Sequence, residues 1–94
     1  MNLNHLIYFL EFAKYQNVTK AAEALHISQP GLSKALLALE DELDVVLIDR
    51  NTKKPVLTQE GELLCSYGSD FINQLHDHMD LLYEVVHNGA GKLT

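Results

Sequence analysis

Gln29, Ser33 and Lys34 place an amide, a hydroxyl and an ammonium at helical spacing, on the flank left free by Leu32, Leu36, Leu39 and Leu43. Groups of this kind exchange hydrogen bonds with a polar surface. A second set is cationic: residues 50 to 58 hold Arg50, Lys53 and Lys54 and no acid. Candidates for harder chemistry fail on spacing. His76 and His78 flank Asp77, with Asp80 close by, but residues two apart on a helix point to different faces, so no metal site is expected. Cys65, the single cysteine, has no partner for an internal disulfide and no basic neighbour in sequence to sharpen its thiol. No nucleophile–base pair or glycine-rich phosphate loop is visible, so no catalytic residues and no enzyme activity are expected.

The polar set must be positioned by short helices. Leu3, Leu6, Ile7, Leu10 and Ala13 recur at helical spacing behind Asn2 or Asn4 as a cap. Asn17 or Thr19 can cap a second helix of about two turns, in which Ala21 and Ala22 let another helix come close. His26 and Ile27 make a brief connection to Ser28, a capping hydroxyl, and Pro30 falls in the tolerant first turn of a third helix that ends near Asp44. Val45 to Arg50 and Val56 to Thr58 favour β-structure and are joined by a polar stretch, which predicts a small hairpin with a basic tip. Thr58 can cap a last helix, whose stripe of Leu64, Tyr67, Phe71, Leu75, Met79, Leu82 and Val86 runs to about Asn88, where Gly89 stops it.

Ninety-four residues, 47% of them hydrophobic, suit one small core. No apolar run is long enough for a membrane span and no signal peptide is visible, so a cytoplasmic protein without membrane contact is expected. The net charge of -6 opposes nucleic-acid binding only as a total. Six of the seven basic residues precede residue 55, whereas residues 40 to 49 carry five acids and residues 59 to 94 carry six. A local positive face is compatible with this distribution, the acidic blocks being turned elsewhere.

Two helices joined by a tight turn, the second opening with short polar side chains, describe a helix-turn-helix whose second helix enters the major groove of DNA. The run from Thr19 to Lys34, reading Thr-Lys-Ala-Ala-Glu-Ala-Leu-His-Ile-Ser-Gln-Pro-Gly-Leu-Ser-Lys, resembles the N-terminal pattern of LysR-type transcriptional regulators. Leu39 to Leu43 and Leu57 to Gly61 extend the likeness over about the first sixty-five residues. The resemblance implies a mostly α fold with a small β-hairpin: a winged helix-turn-helix over residues 1–58, a linker and dimerisation helix over 59–88, and the start of an effector-binding domain at 89–94. It implies base reading by Gln29, Pro30, Ser33 and Lys34, and backbone or minor-groove contacts by Thr19, Ser28, Arg50, Lys53 and Lys54. These chemistries suit the roles, since Gln pairs with adenine, Ser with several base edges, and proline offers an apolar surface to a thymine methyl. Three positions differ from the family pattern. Asp44 stands where a glycine usually ends the third helix, Ile48 where an aromatic is common, and Gly31 where alanine or proline is frequent.

The resemblance also implies that Leu64, Tyr67, Phe71, Leu75, Met79, Leu82 and Val86 pair two chains into a homodimer, with a tetramer open to the full-length protein. Double-stranded DNA is then the partner. No cofactor is expected in this stretch, and a small-molecule effector only in the remaining domain. A rival from another class is a dimerisation or protein-interaction module that has lost DNA binding, a reading the negative total motivates.

Overall fold

Side-chain caps open every helix. In the computed structural model, which describes residues 2–89, Asn2 Oδ1 accepts from the Asn4 N–H at 2.8 Å ahead of α1 (Leu3–Tyr15). Asn17 Oδ1 accepts from the Lys20 N–H at 3.0 Å ahead of α2 (Val18–Leu25), leaving Thr19 exposed in the first turn of that helix. Ser28 Oγ and Thr58 Oγ1 accept from the N–H groups of Gly31 and Gly61, each at 3.0 Å, and open α3 (Gln29–Leu43) and α4 (Gln59–Glu84). Each such cap is worth about 1 kcal/mol, because the first-turn donors have no partner within the helix.

The first three helices stop on left-handed residues that are not glycine: Gln16 at φ 48°, His26 at φ 58° and Asp44 at φ 53°. Asp44 therefore adopts the conformation that glycine supplies elsewhere in the family pattern. The fourth helix does not end cleanly near Asn88; it widens into a π-helical turn at Val85–Gly89. The expected start of a further domain falls mainly on residues 90–94, outside the described residues.

The hairpin is shorter than its β-favouring runs suggest. Only β1 (Ile48–Asp49) and β2 (Val56–Leu57) pair, antiparallel, with Ile48 opposite Leu57 and Asp49 opposite Val56. The preceding residues spend their backbone groups elsewhere. The Val45 N–H donates to the Glu40 carbonyl at 3.2 Å, and the Val46 carbonyl accepts from the Thr58 hydroxyl at 2.6 Å. Thr58 thus caps α4 and ties it to the approach of the wing in one stroke.

Phe9 and Phe12 of α1, Ala21 and Ala22 of α2, Leu32, Leu36 and Leu39 of α3, and Leu47 with Ile48 make a single core. The two alanines are buried where α1 and α3 approach α2, as their small size allows. The start of α4 lies on this core so closely that a Cβ on Gly61 would sit 2.2 Å from the Leu47 carbonyl oxygen. Half-buried Leu64 and Cys65 continue the packing, and Gly68 admits the side chains of Leu6 and Leu10. Beneath the wing a cleft of about 230 Å³ is lined by Phe12, Val18, Leu36, Ile48 and Pro55, the space that an aromatic at position 48 would help to fill.

The one buried charged side chain among the described residues, Glu40, connects α3 to the wing. Its Oε2 accepts from the N–H groups of Leu47 at 2.8 Å and Ile48 at 3.2 Å, and its Oε1 lies 2.8 Å from Arg50 Nη1. Replacing the carboxylate by an amide weakens two acceptor bonds and strands a half-exposed guanidinium. Glu40→Gln should therefore lose about 2 kcal/mol, which thermal unfolding would report as a fall in Tm of roughly 10 °C. Gln16→Gly removes the steric conflict of a side chain at positive φ and should gain about 1 kcal/mol, raising Tm by roughly 5 °C; an unchanged or lower Tm would show that the unfolded chain's added freedom outweighs the relief.

Candidate nucleic-acid interface

The Ser28 cap and Pro30 in the first turn fix where α3 begins and leave its opening residues on the surface. Gln29, Pro30 and Lys34 are exposed and Ser33 is half-buried, all within two turns of the helix start. Leu32, Leu36 and Leu39, on the opposite flank, are at most 2% exposed and hold the helix to the core. The expected reading set is thus brought together at one end of one helix. Ser28 is exposed too, but its oxygen is already occupied as the cap.

Lys53 and Lys54 project from the exposed tip between the strands, where the Thr52 hydroxyl donates to the Lys54 carbonyl and the Asn51 N–H donates to Asp49 Oδ1 at 2.9 Å. Among the described residues, ion pairs engage Lys14 with Glu11 and Arg50 with Glu40, and His5 Nδ1 lies 3.6 Å from Glu42 Oε1. Lys20, Lys34, Lys53 and Lys54 form none. These four lie on α2, the start of α3 and the wing tip, so among the described residues the cations left for an anionic partner are those of the helix-turn-helix and the wing.

Arg50, expected to hold a phosphate from the base of the wing, is half-exposed, and its Nη1 meets the buried Glu40 carboxylate at 2.8 Å and the Ile48 carbonyl at 3.4 Å, which holds the wing to α3. The acidic block after Glu40 was expected to face away from the polar set. Asp41 follows Lys34 by seven residues, nearly two full turns, and so shares its flank, about 10 Å further along the axis. Leu37, Asp41, Asp44, Val46, Arg50 and Glu60 border one open depression of about 630 Å³ beyond the polar end. The flank is therefore polar and basic at its start and acidic at its close, and only the first two turns suit a polyanion.

The apolar stripe of α4 divides in the same way. Leu64 was expected to serve pairing, yet it packs on the chain's own core. Leu75 is half-buried. Tyr67, Phe71, Met79, Leu82 and Val86 are 50 to 68% exposed, joined by Leu63, Leu81 and Tyr83, which the three-and-four periodicity passed over. Sequence reasoning also missed Lys20, concealed in an alanine-rich helix, and Glu40, concealed in a run of acids. Among the described residues no three His, Cys, Asp or Glu side chains group as metal ligands, and no helix is long and apolar enough to cross a membrane.

Residues 3–62 match the family model described as bacterial regulatory helix-turn-helix protein, lysR family. The chain is 40% identical over its whole length to the HTH-type transcriptional regulator BsdA of Bacillus subtilis, of which it spans 33%. Its backbone follows the DNA-binding domain of BenM in a complex with catB site 1 DNA, with a TM-score of 0.88 and 31% identity over 94% of this chain and 98% of that one. DarR of Vibrio fischeri in complex with DNA gives a TM-score of 0.88 and 29% identity, over 95% of this chain and 30% of that one. Motif, architecture and likeness agree, and the chain belongs to the LysR family of bacterial regulatory helix-turn-helix proteins as a LysR-type DNA-binding domain.

Proposed function

We propose that this chain is the operator-reading part of a bacterial transcription regulator, which holds promoter DNA as a homodimer with the start of α3 in the major groove and the wing tip in the adjacent minor groove. The observation that carries the reading is the placement of Lys20, Lys34, Lys53 and Lys54: all four lack carboxylate partners among the described residues and all sit on the helix-turn-helix and wing, in a protein of net charge -6. In this reading Gln29, Pro30, Ser33 and Lys34 meet base edges, which select sequence. Thr19 and the lysines meet phosphates and groove walls, which set register. Residues 1–58 read the operator, and 59–88 pair the copies.

Pairing follows from the free part of the α4 stripe. One helix leaving Tyr67, Phe71, Met79, Leu82 and Val86 in water is an apolar surface that isolated domains avoid. A second α4 laid against it gains roughly 1.5 to 3 kcal/mol per fully buried large side chain, before the entropy of association is deducted. BsdA is about three times the length of this chain, and we assign effector binding to that remainder.

Selection of bound duplexes from random sequence, followed by titration at several salt concentrations, tests the function. If Lys20, Lys53 and Lys54 of each copy meet phosphate, the affinity should fall with salt at a log–log slope of about −5, near 0.9 per neutralised phosphate. A flat slope, or no recovered duplex, rejects DNA binding. For pairing, Phe71→Lys places a charge on the free stripe without touching the core. Sedimentation should then show a monomer with unchanged helical content, whereas a persistent dimer would place the interface elsewhere.

A further inference from the structure

The cleft of about 230 Å³ beneath the wing is walled by side chains from α1, α2, α3 and the wing itself. Most of its lining is apolar. Phe12, Leu36 and Ile48 are each at most 3% exposed, while Leu37, 52% exposed, carries the lining out to solvent. Two polar side chains reach the same space, the half-buried Ser33 and the half-exposed Arg50. Arg50 is the one charged residue on the lining, and among the described residues no acid joins it. Its partner Glu40 meets Nη1 and borders the neighbouring depression instead, and the guanidinium carries further N–H groups on Nε and Nη2.

Size and charge together define what fits. An apolar cavity of about 150 Å³ takes a single benzene ring, and pockets for drug-sized molecules begin near ~300 Å³. A volume between the two suits one ring with one small substituent. A cationic substituent is repelled by Arg50, and a neutral one forgoes the charge-assisted hydrogen bond that a carboxylate gains there. We propose that this cleft is a binding site for a compact monocyclic carboxylate, with its ring against Phe12, Leu36 and Ile48 and its carboxylate toward Arg50 and the Ser33 hydroxyl. Such a ligand bridges α3 and the wing, and it occupies a place distinct from the effector site assigned to the remainder of longer relatives. Ser33 also belongs to the set assigned to base edges, so an occupied cleft and a bound duplex exclude each other. That exclusion rests on the DNA-binding reading above, whereas the site does not.

Cyclohexanecarboxylate is the probe, with cyclohexanecarboxamide as its uncharged counterpart and acetate as the ringless one. Titrated into the isotopically labelled chain, the probe should bind with a Kd of about 1 mM, the scale open to so small a molecule. It should shift the amide signals of Phe12, Ser33, Leu36 and Ile48 and leave those of Met79, Leu82 and Val86, on the exposed end of α4, in place. The amide and acetate should each bind about tenfold more weakly. Ile48→Phe fills the cleft and should weaken the probe about tenfold. Leu37→Glu sets a carboxylate on the exposed part of the lining without entering the core and should do the same, which keeps the site testable if the first variant fails to fold. No saturable shift, shifts centred on the end of α4, equal binding of the amide, or undiminished binding by either folded variant overturns the site. At saturation the probe should also weaken the parent's affinity for a selected duplex about fivefold against matched acetate, and an unchanged affinity overturns the exclusion. Failure to bind any duplex would instead bring down the DNA-binding reading, with the titration results standing apart from it.

Discussion

The geometry of this molecule hangs on one carboxylate. Glu40 sits near the end of α3, accepts the N–H groups of Leu47 and Ile48, and pairs with Arg50 on the far side of the first strand. A two-residue strand pair cannot hold its own orientation, and short isolated hairpins are marginal in water. The wing therefore borrows its direction from α3 through this side chain. Because the two N–H groups and the guanidinium approach from different sides, the carboxylate fixes both how far the wing stands from α3 and how it is turned.

The same economy appears in α4. Its apolar stripe is continuous in sequence, yet the first turns complete the winged domain through Gly61, Leu64, Cys65 and Gly68, and the later turns stand free. The long helix is thus a structural member of the head at its start and an exposed apolar surface further along. Charge is apportioned along α3 by position more than by face: Lys34 and Asp41 share a flank, separated by about two turns, so the helix is basic at its beginning and acidic at its close.

Much of this was legible in the sequence because caps and periodicities are local. Ser28, Pro30 and Thr58 announced their helices, the alanine pair announced a close crossing, and Asp44 was readable as a left-handed stop once a glycine was expected there. What stayed hidden depends on contacts across the chain. Glu40 reads as one acid among five, and nothing near it in sequence reveals that two backbone donors and Arg50 converge on it. Leu64 fits the pairing stripe by spacing as well as Phe71 does, and only the position of Leu47 and Ile48 shows that its neighbours are its own domain. The strands came out short because Val45 and Val46 have β-favouring side chains but hydrogen-bond partners in α3 and at Thr58.

The seating of Gly61 against the Leu47 carbonyl has a geometrical corollary. With no side chain to act as a cushion, the long helix leaves the head as a rigid spar whose azimuth is set at its root. When two copies join along such spars, the separation and relative rotation of their reading heads are properties of helix pitch. Adding a residue midway along α4 would swing one head by about 100° around the axis and advance it about 1.5 Å, so a regulator built this way can retune its operator spacing only in discrete rotational steps.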